Sequence, residues 1–197
     1  MSMETEASPI EQKIIAAAIE CIEQYGIQGA TNRRIAEAAG VNSAAINYYF
    51  RSKDVLIQRV MQATLHNAFD WEDVERMPGG TARERCRAVF NHLIAGGVRY
   101  PGISRAHFYA LLTEGDYHSE AVERLNEFMH KLAEDLQARG AGPDPQTLRL
   151  ACAQIGSAAL LMALAPKLFQ PGLGVDLTDD GARERFVERL VDGLLAE

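Results

Sequence analysis

Residues 31–50 read TNRRIAEAAGVNSAAINYYF, and the glycine near their middle limits what the chain can become. Thr31 can cap a short helix ending near Ala38 or Ala39. Asn42 or Ser43 can cap a second, ending near Tyr48 or Tyr49. Gly40 supplies the left-handed backbone that a sharp reversal between them needs. Two short helices joined by a tight glycine turn make a helix-turn-helix. The apolar spacing closes the unit. Ile35, Ala36 and Ala39 face inward from the first helix, Val41 fills the turn, and Ile46 and Phe50 share a face four residues apart.

Helical periodicity continues along the chain, and no segment shows sustained strand alternation. The pattern predicts nine helices. The first, about 9–25, has Ser8 as cap, Pro9 at its first position and Glu11 in its first turn. Ile15, Ile19 and Ile22 form its stripe, and Gly26 stops it. After the helix-turn-helix, Ser52 caps a helix running to about Trp71. MPGG, 77–80, breaks the chain. Further helices span about 81–98, 104–113, 120–139, 145–169 and 179–196. That at 145–169 is apolar nearly all round, as a helix buried on several sides would be.

The chain carries 27 acidic and 20 basic residues, a net charge of −7, which disfavours non-specific attraction to polyanions. Residues 31–59 differ. Arg33, Arg34, Arg51, Lys53 and Arg59 stand there against only Glu37 and Asp54. With Ile46 and Phe50 buried, Ala44, Asn47 and Tyr48 point outward from the second helix of the pair, the one that enters a major groove. Asparagine can pair bidentately with adenine, and alanine can approach a thymine methyl. Thr31, Ser43, Tyr48 and Tyr49 offer hydroxyls for phosphate contact, and Lys53 sits at a helix N-terminus, where an anion is also favoured. The expected partner is double-stranded operator DNA.

The stretch TNRRIAEAAGVNSAAINYYFRSKDVLI resembles the DNA-binding signature of the TetR/AcrR family of bacterial transcriptional regulators, over about residues 10–60. The resemblance implies nine or ten helices, with helices 1 to 3 binding DNA and the last two long helices forming a dimer. By that resemblance Thr31 is the cap of the second helix, and Arg33 falls where a base- or phosphate-contacting residue often lies. Tyr48 and Tyr49 fall on aromatic phosphate contacts, and Lys53 on a phosphate-contacting lysine. Asn47 departs from the family, which often has an aromatic there, so no known operator preference carries over. The expected fold class is all-α, an N-terminal three-helix helix-turn-helix module joined to a C-terminal helical ligand-binding and dimerisation body. Residues 1–8 are expected as a disordered tail, 9–52 as the DNA-binding domain and 53–197 as the body.

A homodimer is expected because helix-turn-helix proteins usually bind two half-sites through a two-fold axis. Small residues in 151–159 permit close helix approach, and Ile155, Ala159, Phe186, Leu190 and Leu194 are the expected interface. The resemblance also implies a pocket for an unknown small-molecule effector. Its candidate lining is His66, Phe69, Trp71, Phe90, Leu93, His107, Phe108, Leu111, Met129 and Met162. That set favours a hydrophobic or amphipathic effector. The fourth helix is the expected lever between effector and DNA.

Cys21, Cys86 and Cys152 are scattered and odd in number, which argues against a disulfide framework or zinc site and for the cytoplasm. EGDYHSE, 114–120, groups acids with His118, but reads as a capping loop rather than a metal site. No metal, cofactor or membrane contact is expected, and no apolar run reads as long enough to span a bilayer. The sequence holds no G-x-S-x-G, P-loop, H-E-x-x-H or G-x-G-x-x-G, so it is not read as an enzyme. The alternative function is a helical partner-binding adaptor that does not bind DNA.

Overall fold

The protein is described from a computed structural model covering residues 8–141 and 144–195. Of the expected N-terminal tail, only Ser8 falls within the described residues. It caps the first helix, accepting from the Glu11 amide at 3.2 Å while the Glu11 carboxylate accepts from the Ser8 amide at 2.7 Å.

The described residues form twelve helices and no strand. The chain divides into two compact units between His66 and Asn67. The sequence-based boundary, after residue 52, separates the DNA-facing helices by role. Compactness instead groups most of the next helix with them.

The first unit holds α1 (Pro9–Gly29), α2 (Asn32–Ala39), α3 (Ser43–Phe50) and most of α4 (Lys53–Ala68). Regular helix in α1 breaks at Gly26, whose φ of 70° and ψ of 170° are non-helical. One more turn follows before Ala30. The buried face of α1 is Ile14, Ala17, Ala18, Cys21 and Ile22, with Ile15 and Ile19 only half-buried. Its stripe is thus rotated from the expected one. Ile35, Ala36, Ala39, Ile46 and Phe50 are all buried as the spacing predicts. Gly40 adopts the left-handed conformation (φ 61°, ψ 37°). The Val41 amide donates to the Ala36 carbonyl at 2.9 Å, which satisfies an otherwise orphaned helix-end acceptor.

The second unit holds α5 (Trp71–Arg76), α6 (Ala82–Arg99), α7 (Pro101–His107), α8 (Tyr109–Glu114), α9 (Glu120–Ala138), α10 (Pro145–Leu164), α11 (Gln170–Leu173) and α12 (Asp180–Leu194). Helix α6 packs against α9, α10 and α12. Phe90, Ile94, Leu132, Leu136, Leu148 and Ile155 lie fully buried there. Gly97 lets α6 and α10 approach closely, since a Cβ on it would sit 2.3 Å from the Ala163 Cβ. The buried Arg85 guanidinium donates to the Val74 carbonyl and lies 3.7 Å from Asp135, which also pairs with Arg139 at 2.8 Å.

Several helix limits differ from expectation for local reasons. Asp70 caps α5, accepting from the Glu72 amide at 2.9 Å, so α4 ends at Ala68 rather than Trp71. Pro101 starts α7 before the expected Ser104, and Phe108 separates α7 from α8. Helix α10 stops at Leu164, five residues early, because Ala165 precedes Pro166 and is driven out of the helical region (φ −143°, ψ 67°).

One apolar run is longer than the sequence reading allowed. Helix α10 is long and apolar enough to cross a membrane, with a mean hydropathy of 1.5 over its best window. Leu148, Ala151, Cys152, Ile155, Ala159 and Met162 are nonetheless buried inside the protein. That face belongs to the core that α10 shares with α6 and α9, while the opposite face of the helix is exposed.

Candidate nucleic-acid interface

The surface built by α2 and α3 follows from how each helix starts. Thr31 caps α2, its hydroxyl accepting from the Arg34 amide at 3.3 Å. Asn42 caps α3, its Oδ1 accepting from the Ala44 amide at 2.9 Å. Neither helix has an acid in its first turn, whereas α1, α4, α5, α6 and α9 each do. The positive ends of α2 and α3 are therefore not offset by local carboxylates, which suits an approaching phosphate.

Burial of Ile46 and Phe50 turns the opposite face of α3 to solvent. Ser43, Ala44, Asn47 and Tyr48 are exposed, Tyr48 at 82%. Its ring meets that of half-buried Tyr49 edge-on, with centroids 5.0 Å apart. An edge-to-face pair of this kind favours one relative orientation of the two rings.

The cations divide into two groups. Arg33 is exposed and has no internal hydrogen bond or ion pair among the described residues. Arg34 and Lys53 are anchored to the end of α1. Arg34 Nη1 donates to the Gly29 carbonyl at 2.8 Å, and Lys53 Nζ to the Ile27 carbonyl at 3.2 Å. Arg59 instead lies 3.7 Å from Glu11 and 5.9 Å from the Phe50 ring centroid, so a carboxylate stands beside its charge. Sequence reasoning missed the anchoring of Arg34 and Lys53, because their acceptors are backbone carbonyls that no side-chain pattern reveals. Arg51, counted with the cations of this stretch, lies exposed at the end of α3 with a φ of 64°, a backbone conformation that the residue type does not announce.

In the second unit, the candidate effector-lining residues do not gather in one cavity. Phe90, Phe108 and Met162 are buried in packing. Phe69 and Trp71 stack around Phe128, with centroids 5.6 and 5.7 Å away. Leu93, His107 and Leu111 are half-buried. His66 is exposed and closes the first unit. Burial pushes the His107 imidazole down to about 4. Only Met129 of the expected set lines the groove between α9 and α10, of about 450 Å³. Leu125, Ala133, Cys152 and Leu160 form its apolar wall and Asn126, His130, Arg149 and Ser157 its polar rim. Gly156 keeps it open, since a Cβ there would approach the Met129 Cε to 3.0 Å.

The expected dimer residues also separate. Ile155 and Ala159 are buried inside their own subunit at 0% and 6% exposure, so neither has surface to offer a partner. The outward side of α10 presents Leu150, Ala153, Gln154, Ser157 and Leu161 instead. On α12 the buried seam is Val187 and Val191, which leaves Phe186, Leu190 and Leu194 half-buried. The three cysteines are free and buried, and burial raises the thiol pKa of each, that of Cys152 to about 11. In the 114–120 loop, Asp116 accepts from the His118 amide at 2.8 Å, a turn contact. No cluster of three metal-ligating side chains occurs among the described residues.

Residues 14–60 match the model of bacterial regulatory proteins of the tetR family. The HTH-type transcriptional regulator BetI 1 of Chromohalobacter salexigens is 35% identical over 85 residues, 42% of this chain and 42% of that protein. The alignment thus spans about two-fifths of the relative's length. Two solved structures share the fold over nearly the whole chain. The fatty acid degradation regulator FadR from Bacillus halodurans matches with a TM-score of 0.71 at 18% identity, covering 97% of both chains. A regulator of the TetR/AcrR family from Thermobifida fusca matches with a TM-score of 0.64 at 22% identity, covering 94% of this chain and 96% of that one.

Proposed function

We propose that this chain, whose residues 14–60 match the model of bacterial regulatory proteins of the tetR family, is a cytoplasmic, homodimeric repressor of that family that leaves a palindromic operator when a small amphipathic molecule binds. The observation that carries the DNA-binding part is the outward face of α3. It offers Ala44 and Asn47 for base edges and Tyr48 for phosphate, while α2 adds Thr31 and the exposed Arg33 for phosphates, and neither helix has an acid in its first turn. Arg34 and Lys53 add charge at the rim of that face.

Two copies joined through the outward side of α10 and the half-buried residues of α12 would set the spacing of two such faces. Half-sites then lie about 34–36 Å apart, one helical turn of DNA. The α9–α10 groove supports the effector reading, since its apolar wall and rim of Arg149, His130 and Ser157 suit an amphipathic molecule. Because α4 carries the chain from the first unit into the second, it is the natural route for a population shift. Driving the DNA-competent state from 99% to 1% takes about 5.5 kcal/mol of differential affinity, which two effectors per dimer would share.

The experiment is a titration of purified protein against the duplex upstream of its own coding sequence, repeated over a range of salt. Tight, sequence-selective binding that weakens steeply with salt supports the reading. Equal affinity for scrambled duplex overturns the sequence-specific reading, and no affinity for either duplex overturns it in favour of the adaptor alternative. A compound that raises the melting temperature should also release the DNA. Binding with no change in DNA affinity overturns the switch.

A further inference from the structure

We infer that Tyr25 is a positioning residue for DNA contact, its ring and the Gly29 carbonyl together holding the Arg34 guanidinium ready to meet a backbone phosphate. The inference rests on the DNA-binding reading above and adds a residue to it. The Arg34 Cζ lies 4.4 Å from the Tyr25 ring centroid, within the range of a cation over an aromatic face. Its Nη1 donates to the Gly29 carbonyl at 2.8 Å. A guanidinium has five N–H donors, and this arrangement leaves most of them for an incoming anion.

The choice of partners carries the argument. Arg59, Arg76, Arg87, Arg139 and Arg183 each pair with a carboxylate. Among the described residues, Arg34 is held by an aromatic face and a neutral carbonyl and by no ion pair. A carboxylate would fix its geometry and cancel its charge together. These neutral groups fix the geometry and leave the charge available. An arginine already held in place loses less side-chain freedom when it binds, so more of its attraction for phosphate appears as affinity.

The local backbone is shaped for this arrangement. Gly26 breaks α1 immediately after Tyr25. At Gly29, a Cβ would lie 2.7 Å from the Tyr25 Cβ and 3.6 Å from Arg34 Nη1. No side chain at 29 fits without moving the root of the tyrosine, which is not the flexible end of a side chain. Arg34 is also the residue whose amide closes the Thr31 cap, so the clamp and the start of α2 are one structure.

The test compares the wild type with Tyr25→Ala, Tyr25→Leu, Tyr25→Phe, Gly29→Ala, Arg34→Ala and the double variant Tyr25→Ala/Arg34→Ala on the upstream duplex across a salt series. Arg34→Ala should flatten the slope of log affinity against log salt by about 0.9, one phosphate contact. Tyr25→Ala, Tyr25→Leu and Gly29→Ala should each weaken binding on the order of threefold. Tyr25→Phe should bind as the wild type, because the ring face and not the hydroxyl does the holding. The double variant should bind no more weakly than Arg34→Ala alone. Tyr25→Leu keeps apolar bulk, so a normal urea midpoint for it separates loss of the ring from loss of the fold. Wild-type binding by Tyr25→Leu, or additive losses in the double variant, would overturn the inference while leaving the DNA-binding reading intact. A wild type that shows no salt-dependent DNA binding would overturn both.

Discussion

Lys53 reaches back 26 positions to donate from Nζ to the Ile27 carbonyl at 3.2 Å, joining the first turn of α4 to the end of α1. The same ammonium stands where a backbone phosphate is expected. A lysine has three donors, so one can stay on Ile27 while another meets DNA. Lys53→Ala should lower unfolding stability by about 1 kcal/mol in urea, the loss of a partly exposed charged hydrogen bond. It should also reduce the salt slope of DNA binding by about one contact. A stability loss with an unchanged slope would confine Lys53 to a structural role.

Arg51 lies at the α3–α4 junction with a φ of 64° and ψ of −39°, and the Ser52 amide donates across it to the Phe50 carbonyl at 2.7 Å. This one-residue reversal is strained for any residue with a Cβ. Arg51→Gly should therefore raise stability by about 0.5–1 kcal/mol, relief of strain less the entropy of a freer unfolded chain. DNA affinity should fall, because an exposed cation beside α3 is lost. A destabilised variant would show that the strain is not where the backbone angle puts it.

Burial lowers the pKa of His107 to about 4, against 6.5 for an exposed imidazole. The unfolded chain takes up this proton below about 6.5 and the folded chain only near 4. Stability from the neutral, buried ring is thus complete above pH 6.5 and is lost as the pH falls toward 4. At about 1.4 kcal/mol per unit, the loss approaches 3 kcal/mol at the acid end. His107→Gln should flatten that part of the stability profile, measured by urea unfolding between pH 4 and 7. An unchanged profile would assign the acid sensitivity to other groups.

Leu150 and Leu161 are 61% and 46% exposed on the outward side of α10, with Ala153 and Ser157 between them. Their spacing keeps all four on one helical face. Leu150→Glu with Leu161→Glu should yield monomers in sedimentation velocity and weaken operator binding by orders of magnitude, with helicity retained. Dimers that persist in the double variant would move the interface elsewhere.

The helix-turn-helix was legible because every level of the sequence agreed there: caps at Thr31 and Asn42, glycine at the reversal, and apolar residues at helical spacing. The second unit was less so. Helix α10 is apolar on several faces, so periodicity does not say which face turns inward, and Ile155 and Ala159, expected at a partner, lie in the subunit's own core. The effector-lining residues are hard to read for a related reason. Aromatic and methionine side chains at helical spacing fill a core as readily as they line a cavity, and Phe90, Phe108 and Met162 do the former. The α9–α10 groove depends instead on a residue with no side chain, Gly156, beside Met129. The short helices α5 and α11, of six and four residues, are too brief for a periodic signal to emerge.

The central claim is that the exposed face of α3 reads DNA sequence, and Asn47 tests it most directly. Selection from a random-sequence duplex library should be run with the wild type and with Asn47→Ala. The wild type should enrich a two-fold symmetric site, and Asn47→Ala should loosen the preference at one symmetry-related adenine position, by about 1–3 kcal/mol per half-site, with the remaining positions unchanged. Enrichment of no common site by the wild type, or an identical site with identical preferences from Asn47→Ala, would contradict the claim.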